Sequence, residues 1–249
     1  MLSLARGLSV IRTFEHGHPH LTVAEVARRS AISRAAARRC LHTLATLGYV
    51  TVTEDGYALT PRILTLGYAY LGSALVSRAA QPVLEKVAER VQESCSMGVM
   101  DGDEVVYVAR AATRRILSIG LTVGSRLPAY CTSMGRILLA FADERRVKQY
   151  LASVKRVAYT NRTKTDAAAL RAELARIRLR GYALNDQELE LGLRSVSVPV
   201  RGHDRSVIAA INIGAQASRV DIRTMTREYV PVLLEAAQDI GLEIAHGLA

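Results

Sequence analysis

Lysine is missing from the beginning of this 249-residue chain: up to Ser77 every basic residue is arginine (Arg6, Arg12, Arg28, Arg29, Arg34, Arg38, Arg39 and Arg62), and the first lysine is Lys86. Only Glu15, Glu25, Glu54 and Asp55 oppose those arginines, a balance that favours a polyanionic partner. Cysteine is scarce too. Cys40, Cys95 and Cys131 are odd in number and far apart, which excludes a disulfide framework and fits a reducing cytoplasmic compartment. No apolar run is long enough to span a bilayer; the longest, from Ile63 to Val76, is short and interrupted by glycine. Arg6 and Arg12 break the N-terminal apolar residues, so no secretory signal is expected. Also missing are G-x-S-x-G, a glycine-rich phosphate loop and C-x-x-C, which removes the commonest hydrolase, nucleotide-binding and redox signatures.

What is present begins with a core-forming composition, 49% hydrophobic, and a net charge of +10. The informative stretch is Leu21 to Leu59. Thr22 followed by Glu25 and helically spaced apolar residues is a capping box, in which each side chain satisfies an orphan backbone donor. Ala31 and Ile32 form a turn, and Ser33 caps a second helix to about Leu47. On it Ala37, Leu41, Leu44 and Gly48 form the inward stripe, with Ala35, Arg38, Arg39, His42 and Thr46 opposite and Arg34 in the first turn. Two short helices with arginine on the outer face of the second describe a helix-turn-helix. Arginine can grip guanine or a phosphate, and a neighbouring alanine lets the helix sit deep in the major groove. Tyr49–Val52 and Tyr57–Leu59 around Asp55-Gly56 predict a hairpin, which makes the motif winged. The expected DNA-facing set is Thr22, Ser33, Arg34, Ala35, Arg38, Arg39 and His42.

Elsewhere, Leu4, Leu8, Ile11 and Phe14 predict a first helix. The alternating His16, His18 and His20 sit with Gly17 and Pro19 and read as a solvated turn, so no metal site is expected. Pro61 opens a linker helix. Then come a helix over 80–93, strands at 96–100, 105–111 and 116–121, a loop at 124–128, and a helix from Thr132 or Ser133. Further helices are expected at 143–153 and at 166–180, the latter capped by Thr165. Strands at 182–185, 194–200 and 207–214 and a helix over 224–246 complete an α+β fold. The domain expectation is a winged helix-turn-helix over 1–60, a linker helix over 61–78, and a second domain over 79–249 whose antiparallel sheet is flanked by helices.

No catalytic residue is assigned. Cys131 precedes a helix start, where a dipole could lower its pKa, but no histidine is near it in the sequence. Asp186, Glu188 and Glu190, alternating with Leu189 and Leu191 towards the end of the segment, read as a solvated loop rather than an acid/base pair. Small-molecule binding fits better: Ser133, Met134 and Gly135 offer backbone donors to an anion, and Asn185, Ser195 and Asn212 punctuate apolar strands.

Taken in order, Arg6-Gly7-Leu8-Ser9-Val10, the capping-box segment, Ser33-Arg34, Leu47-Gly48-Tyr49-Val50, Leu59-Thr60-Pro61-Arg62, Gly181-Tyr182-Ala183 and Gly192 through Val200 resemble the IclR family of transcriptional regulators over nearly the whole chain. Leu127 through Arg136 resembles the branch that controls aromatic-acid breakdown through the β-ketoadipate pathway. The resemblance implies a GAF-like effector domain, a homodimer or tetramer on a palindromic double-stranded operator, a small organic acid as effector, and no cofactor. Effector contacts carry over to Ser133, Met134, Asn185, Ser195, Asn212 and Gly214. Position 185 departs from the pattern, since the family often has Asp there. Two readings follow: a ligand-controlled DNA-binding regulator, and an enzyme carrying an incidental helix-turn-helix, which turnover of an aromatic acid would identify.

Overall fold

The structure, a computed structural model, describes residues 2–14, 19–66, 75–112 and 120–246. The chain forms two compact units, Met1–Ser73 and Ala74–Ala249. In the first, α1 (Leu2–Arg12), α2 (Val23–Arg29) and α3 (Arg34–Thr46) enclose a small core of Val10, Leu21, Val26, Ala37, Leu41, Leu44 and Val50. The capping box forms at Thr22, which accepts from the Glu25 N–H while Glu25 accepts from the Thr22 N–H at 2.8 Å. Ser33 caps α3 by accepting from the Ala36 N–H. Between the helices, Ala31 adopts a left-handed φ of 53°, and the Ile32 N–H closes the turn on the Ala27 carbonyl.

The wing is an antiparallel hairpin of β1 (Val50–Thr53) and β2 (Gly56–Leu59). Its loop residues are Glu54 and Asp55, so Gly56 lies one place beyond the turn, paired with Thr53. Close approach explains that glycine: at φ +129°, a Cβ would come within 2.6 Å of the Leu21 carbonyl oxygen. Leu21 and Tyr57 exchange two backbone hydrogen bonds at 2.9 Å, which fixes the wing to the entrance of α2. His20 bonds to Thr53, while His16 and His18 lie outside the described residues. Pro61 opens a 3-10 turn, Pro61–Ile63, where an α-helix is expected; the chain is helical again over 64–66, and most of the remaining linker lies outside the described residues.

The second unit is a three-layer arrangement around a six-stranded antiparallel sheet, order β5-β4-β3-β8-β7-β6. The strands are β3 (Ser94–Asp101), β4 (Glu104–Ala111), β5 (Arg126–Pro128), β6 (Ala183–Asp186), β7 (Leu193–Arg201) and β8 (Val207–Gln216). The strand expected over 116–121 falls mostly outside the described residues, and the edge strand beside β4 is Arg126–Pro128, expected as a loop. Two helices, α4 (Leu75–Val91) and α8 (Val230–His246), cover one face; α4 crosses the expected boundary at 78/79, with Pro82 inside it. Val196, Val198, Ile211 and Ile213 point into that layer beside Leu84, Leu233 and Ile240. Because successive strand residues alternate sides, Ser195, Ser197, Asn212 and Gly214 belong to the opposite face. That face is covered by α5 (Ser133–Ala140), α6 (Glu144–Ser153) and α7 (Ala167–Arg180) over Val105, Tyr107, Met134, Ile137, Leu170 and Ile177. The cap of α7 is Asp166, whose carboxylate accepts from the Ala169 N–H; Thr165 is not the cap. Among the described residues no helix is long and apolar enough to cross a membrane.

Candidate functional site

The first surface is the outer side of α3. Arg34, Ala35, Arg38, Arg39 and His42 are exposed together, while Ala36, Ala37, Leu41 and Leu44 are buried behind them. Among the described residues no carboxylate pairs with Arg34, Arg38 or Arg39, so their guanidinium groups are available to an external anion. Thr22 and Ser33 are exposed at the starts of α2 and α3, but their hydroxyls serve as caps.

The second is a cleft between the start of α5 and the polar face of the sheet. All six residues expected for an effector line it: Ser133, Met134, Asn185, Ser195, Asn212 and Gly214. Cross-strand register explains the grouping. Ser96 stands opposite both Arg110 and Asn212, and Gly214 opposite both Ser94 and Ser195. The cavity volume is about 40 Å³, with the mouth open, so an aromatic ring enters only if the lining yields. The apolar side chains of that lining include Leu121, Leu127, Met134, Leu189 and Leu193.

The polar groups differ in how far they are already committed. Asn185 donates to the Cys131 carbonyl at 2.8 Å and accepts from the Glu188 N–H at 3.3 Å, so it ties two walls of the cleft together. Ser195 donates to Ser133 across the cleft at 2.9 Å. The Gly135 N–H, one of three donors expected to meet an anion, is taken instead by the Thr132 hydroxyl. Asn212 is buried, and its Oδ1 has no partner. An unpaired buried polar atom costs about 1–3 kcal/mol, so this amide is poised to bond something entering the cleft.

Arg110 is the residue that sequence reasoning missed. Its Nη1 donates to Ser96 Oγ at 2.9 Å, its Nε is buried without a partner, and among the described residues no carboxylate faces it. Burial lowers its pKa, opposed by neighbouring Tyr107 and Cys95. A β-bulge puts it there: between Met97 and Gly98 the register shifts, so that β4 gains a residue and Tyr107 and Arg110 line the same cleft. Gly98 makes room for this packing, since a Cβ would lie 3.2 Å from Met134 Sδ and 2.5 Å from Val105.

Cys131 does not have a nucleophile's environment. Burial pushes its thiol up to about 12, the reverse of what a helix start alone would do, and among the described residues no histidine lines the cleft. The acidic segment is not a solvated loop either. Asp186 bonds Arg194 and Arg162, both at 2.6 Å, and Glu188 is 2% exposed against the fully buried Arg136. The sequence gives no local sign of this, because the partner of Glu188 lies 52 residues upstream.

Two family descriptions match: IclR helix-turn-helix domain over residues 3–54, and bacterial transcriptional regulator IclR C-terminal over 68–242. The chain is 45% identical over 241 residues to the Pca regulon regulatory protein of Pseudomonas putida, covering 96% of this chain and 83% of that protein. A solved structure described as a transcriptional regulator from Rhodococcus sp. RHA1 superposes with a TM-score of 0.90 at 43% identity, covering 98% of each chain. An IclR homologue from Microbacterium hydrocarbonoxydans, solved in complex with 4-hydroxybenzoate, superposes with a TM-score of 0.87 at 27% identity, covering 97% of this chain and 98% of that one.

Proposed function

Since this chain belongs to the IclR family of bacterial transcriptional regulators, we propose that it controls genes of aromatic-acid catabolism by letting a small aromatic acid in the cleft alter how α3 engages a palindromic operator. The observation that carries the ligand reading is Arg110, a half-buried cation with an unpartnered Nε, in the same cleft lining as Asn212, whose Oδ1 is unpartnered too. A carboxylate supplies the charge and acceptors that the guanidinium lacks, and the ring lies against Met134 and the cleft leucines. The named relative governs a Pca regulon, and the Microbacterium homologue binds 4-hydroxybenzoate, both in keeping with this chemistry. On the DNA side, Arg34, Arg38 and Arg39 contact bases and phosphates while Ala35 permits close approach. One winged helix reads few base pairs, so a homodimer, or a tetramer of two dimers, supplies the second half-site.

Regulation requires that the ligand bind one arrangement of the two units better than the other. Segment 61–78, between the DNA-binding region 1–60 and the effector region 79–249, carries that bias. Ser195→Phe tests the site: it fills the cleft opposite Ser133 and should abolish the response to 4-hydroxybenzoate in an operator-binding assay while leaving ligand-free binding intact. An unchanged response would place the effector elsewhere.

A further inference from the structure

We infer that the buried ion pair between Arg136 and Glu188 is a positioning device that sets the width of the effector cleft; this rests on the cleft reading above. Arg136 is fully buried and grips Glu188 with two parallel bonds of 2.6 Å, while its Nε donates to the Tyr130 carbonyl at 2.8 Å. Glu188 also accepts from the Lys164 N–H at 2.8 Å and from Lys164 Nζ at 2.9 Å. Its own carbonyl accepts from the hydroxyls of Thr160 and Thr163. The pair therefore joins α5 and the turn before it to the segment after β6 and to the 160–164 loop.

Those are the walls of the cleft. Ser133 and Met134 occupy the turn of α5 that holds Arg136, Cys131 lies in the turn that Arg136 pins, and Leu189 follows Glu188 directly. Asn185, three residues before Glu188, repeats the tie, from the Cys131 carbonyl to the Glu188 N–H. A buried ion pair is a poor way to gain stability, because desolvation offsets most of its attraction and an apolar pair of similar volume often does as well. What it provides is direction: a two-pronged guanidinium–carboxylate contact holds one separation and one plane. In a cleft whose cavity volume is about 40 Å³, a small change in wall spacing decides whether a ring is admitted.

The test separates fold from cleft geometry in the full-length protein. The paired replacement Arg136→Met with Glu188→Met removes both charges and keeps an apolar filling. It should retain the far-UV circular dichroism spectrum and a single cooperative melting transition, lowered by the partners that the Tyr130 carbonyl and the Lys164 N–H lose. The 13C-methyl NMR signal of Met134, assigned by Met134→Leu, should shift or broaden, and 4-hydroxybenzoate affinity should fall about tenfold or more, equivalent to about 1.4 kcal/mol. A folded variant with an unmoved Met134 signal and unaltered affinity overturns the inference. If wild type binds no 4-hydroxybenzoate, the ligand reading is what fails for that acid, and the Met134 signal still decides the positioning role. Should the paired variant not fold, Arg136→Lys keeps the charge without the two-pronged grip, and the same two readouts apply to it.

Discussion

Replacing Arg110 by glutamine tests where the effector's carboxylate sits. Nη1 is engaged by Ser96 and Nε by nothing, so Nε remains to donate to a carboxylate oxygen. A charge-assisted hydrogen bond contributes roughly 1.5–3 kcal/mol, so Arg110→Gln should weaken 4-hydroxybenzoate binding about 10- to 150-fold. Ligand-free stability should change little. The lost bond to Ser96 is offset by removal of a half-buried cation that has no counter-charge among the described residues. Titration calorimetry of wild type and variant with 4-hydroxybenzoate and with its neutral amide isolates the charge: the variant should lose affinity for the acid and show little change for the amide. Equal losses for both ligands, or acid affinity within about twofold of wild type, would refute the assignment of the carboxylate to Arg110.

In the DNA-binding unit, Arg34→Ala and Arg39→Ala should each cost about 1–3 kcal/mol if base-reading. A phosphate-contacting arginine should instead weaken all sequences alike and flatten the salt dependence measured by fluorescence anisotropy. Gly135→Ala should destabilise the effector unit by about 1–3 kcal/mol or more, because the new Cβ would lie 2.3 Å from the Ala129 backbone; a wild-type melting curve would contradict this packing. Burial alone would raise the Glu188 pKa, but hydrogen bonds and charge from Arg136 and Lys164 outweigh it, and the net shift is downward from 4.5. A depressed carboxylate stabilises the fold above its unfolded pKa and loses that contribution as pH falls through the folded value. Urea unfolding from pH 6 downward should therefore show wild type losing stability below about pH 4.5, with a shallower fall in Glu188→Gln.

The sequence by itself determined whatever depends on near neighbours. Thr22 with Glu25, and Ser33 three residues before Ala36, specify helix starts through bonds spanning three residues, so the helix-turn-helix and the exposed row Arg34, Arg38, Arg39 are legible. Alternation along β7 and β8 likewise separates Ser195, Asn212 and Gly214 from the valines and isoleucines of the core, because a strand's side chains change face at every residue. The tertiary structure decided where that counting fails or where partners are remote. Strict alternation sends Tyr107 and Arg110 to opposite faces; one bulged residue in β4, opposite Gly98, brings both into the cleft. Glu188 looks like one solvated carboxylate among three until the fold brings Arg136 to it from 52 residues away. A fully buried charge is costly without a partner of opposite sign in contact, and for Glu188 that contact depends on how α5 lies against the end of β6, which no local pattern in the chain records.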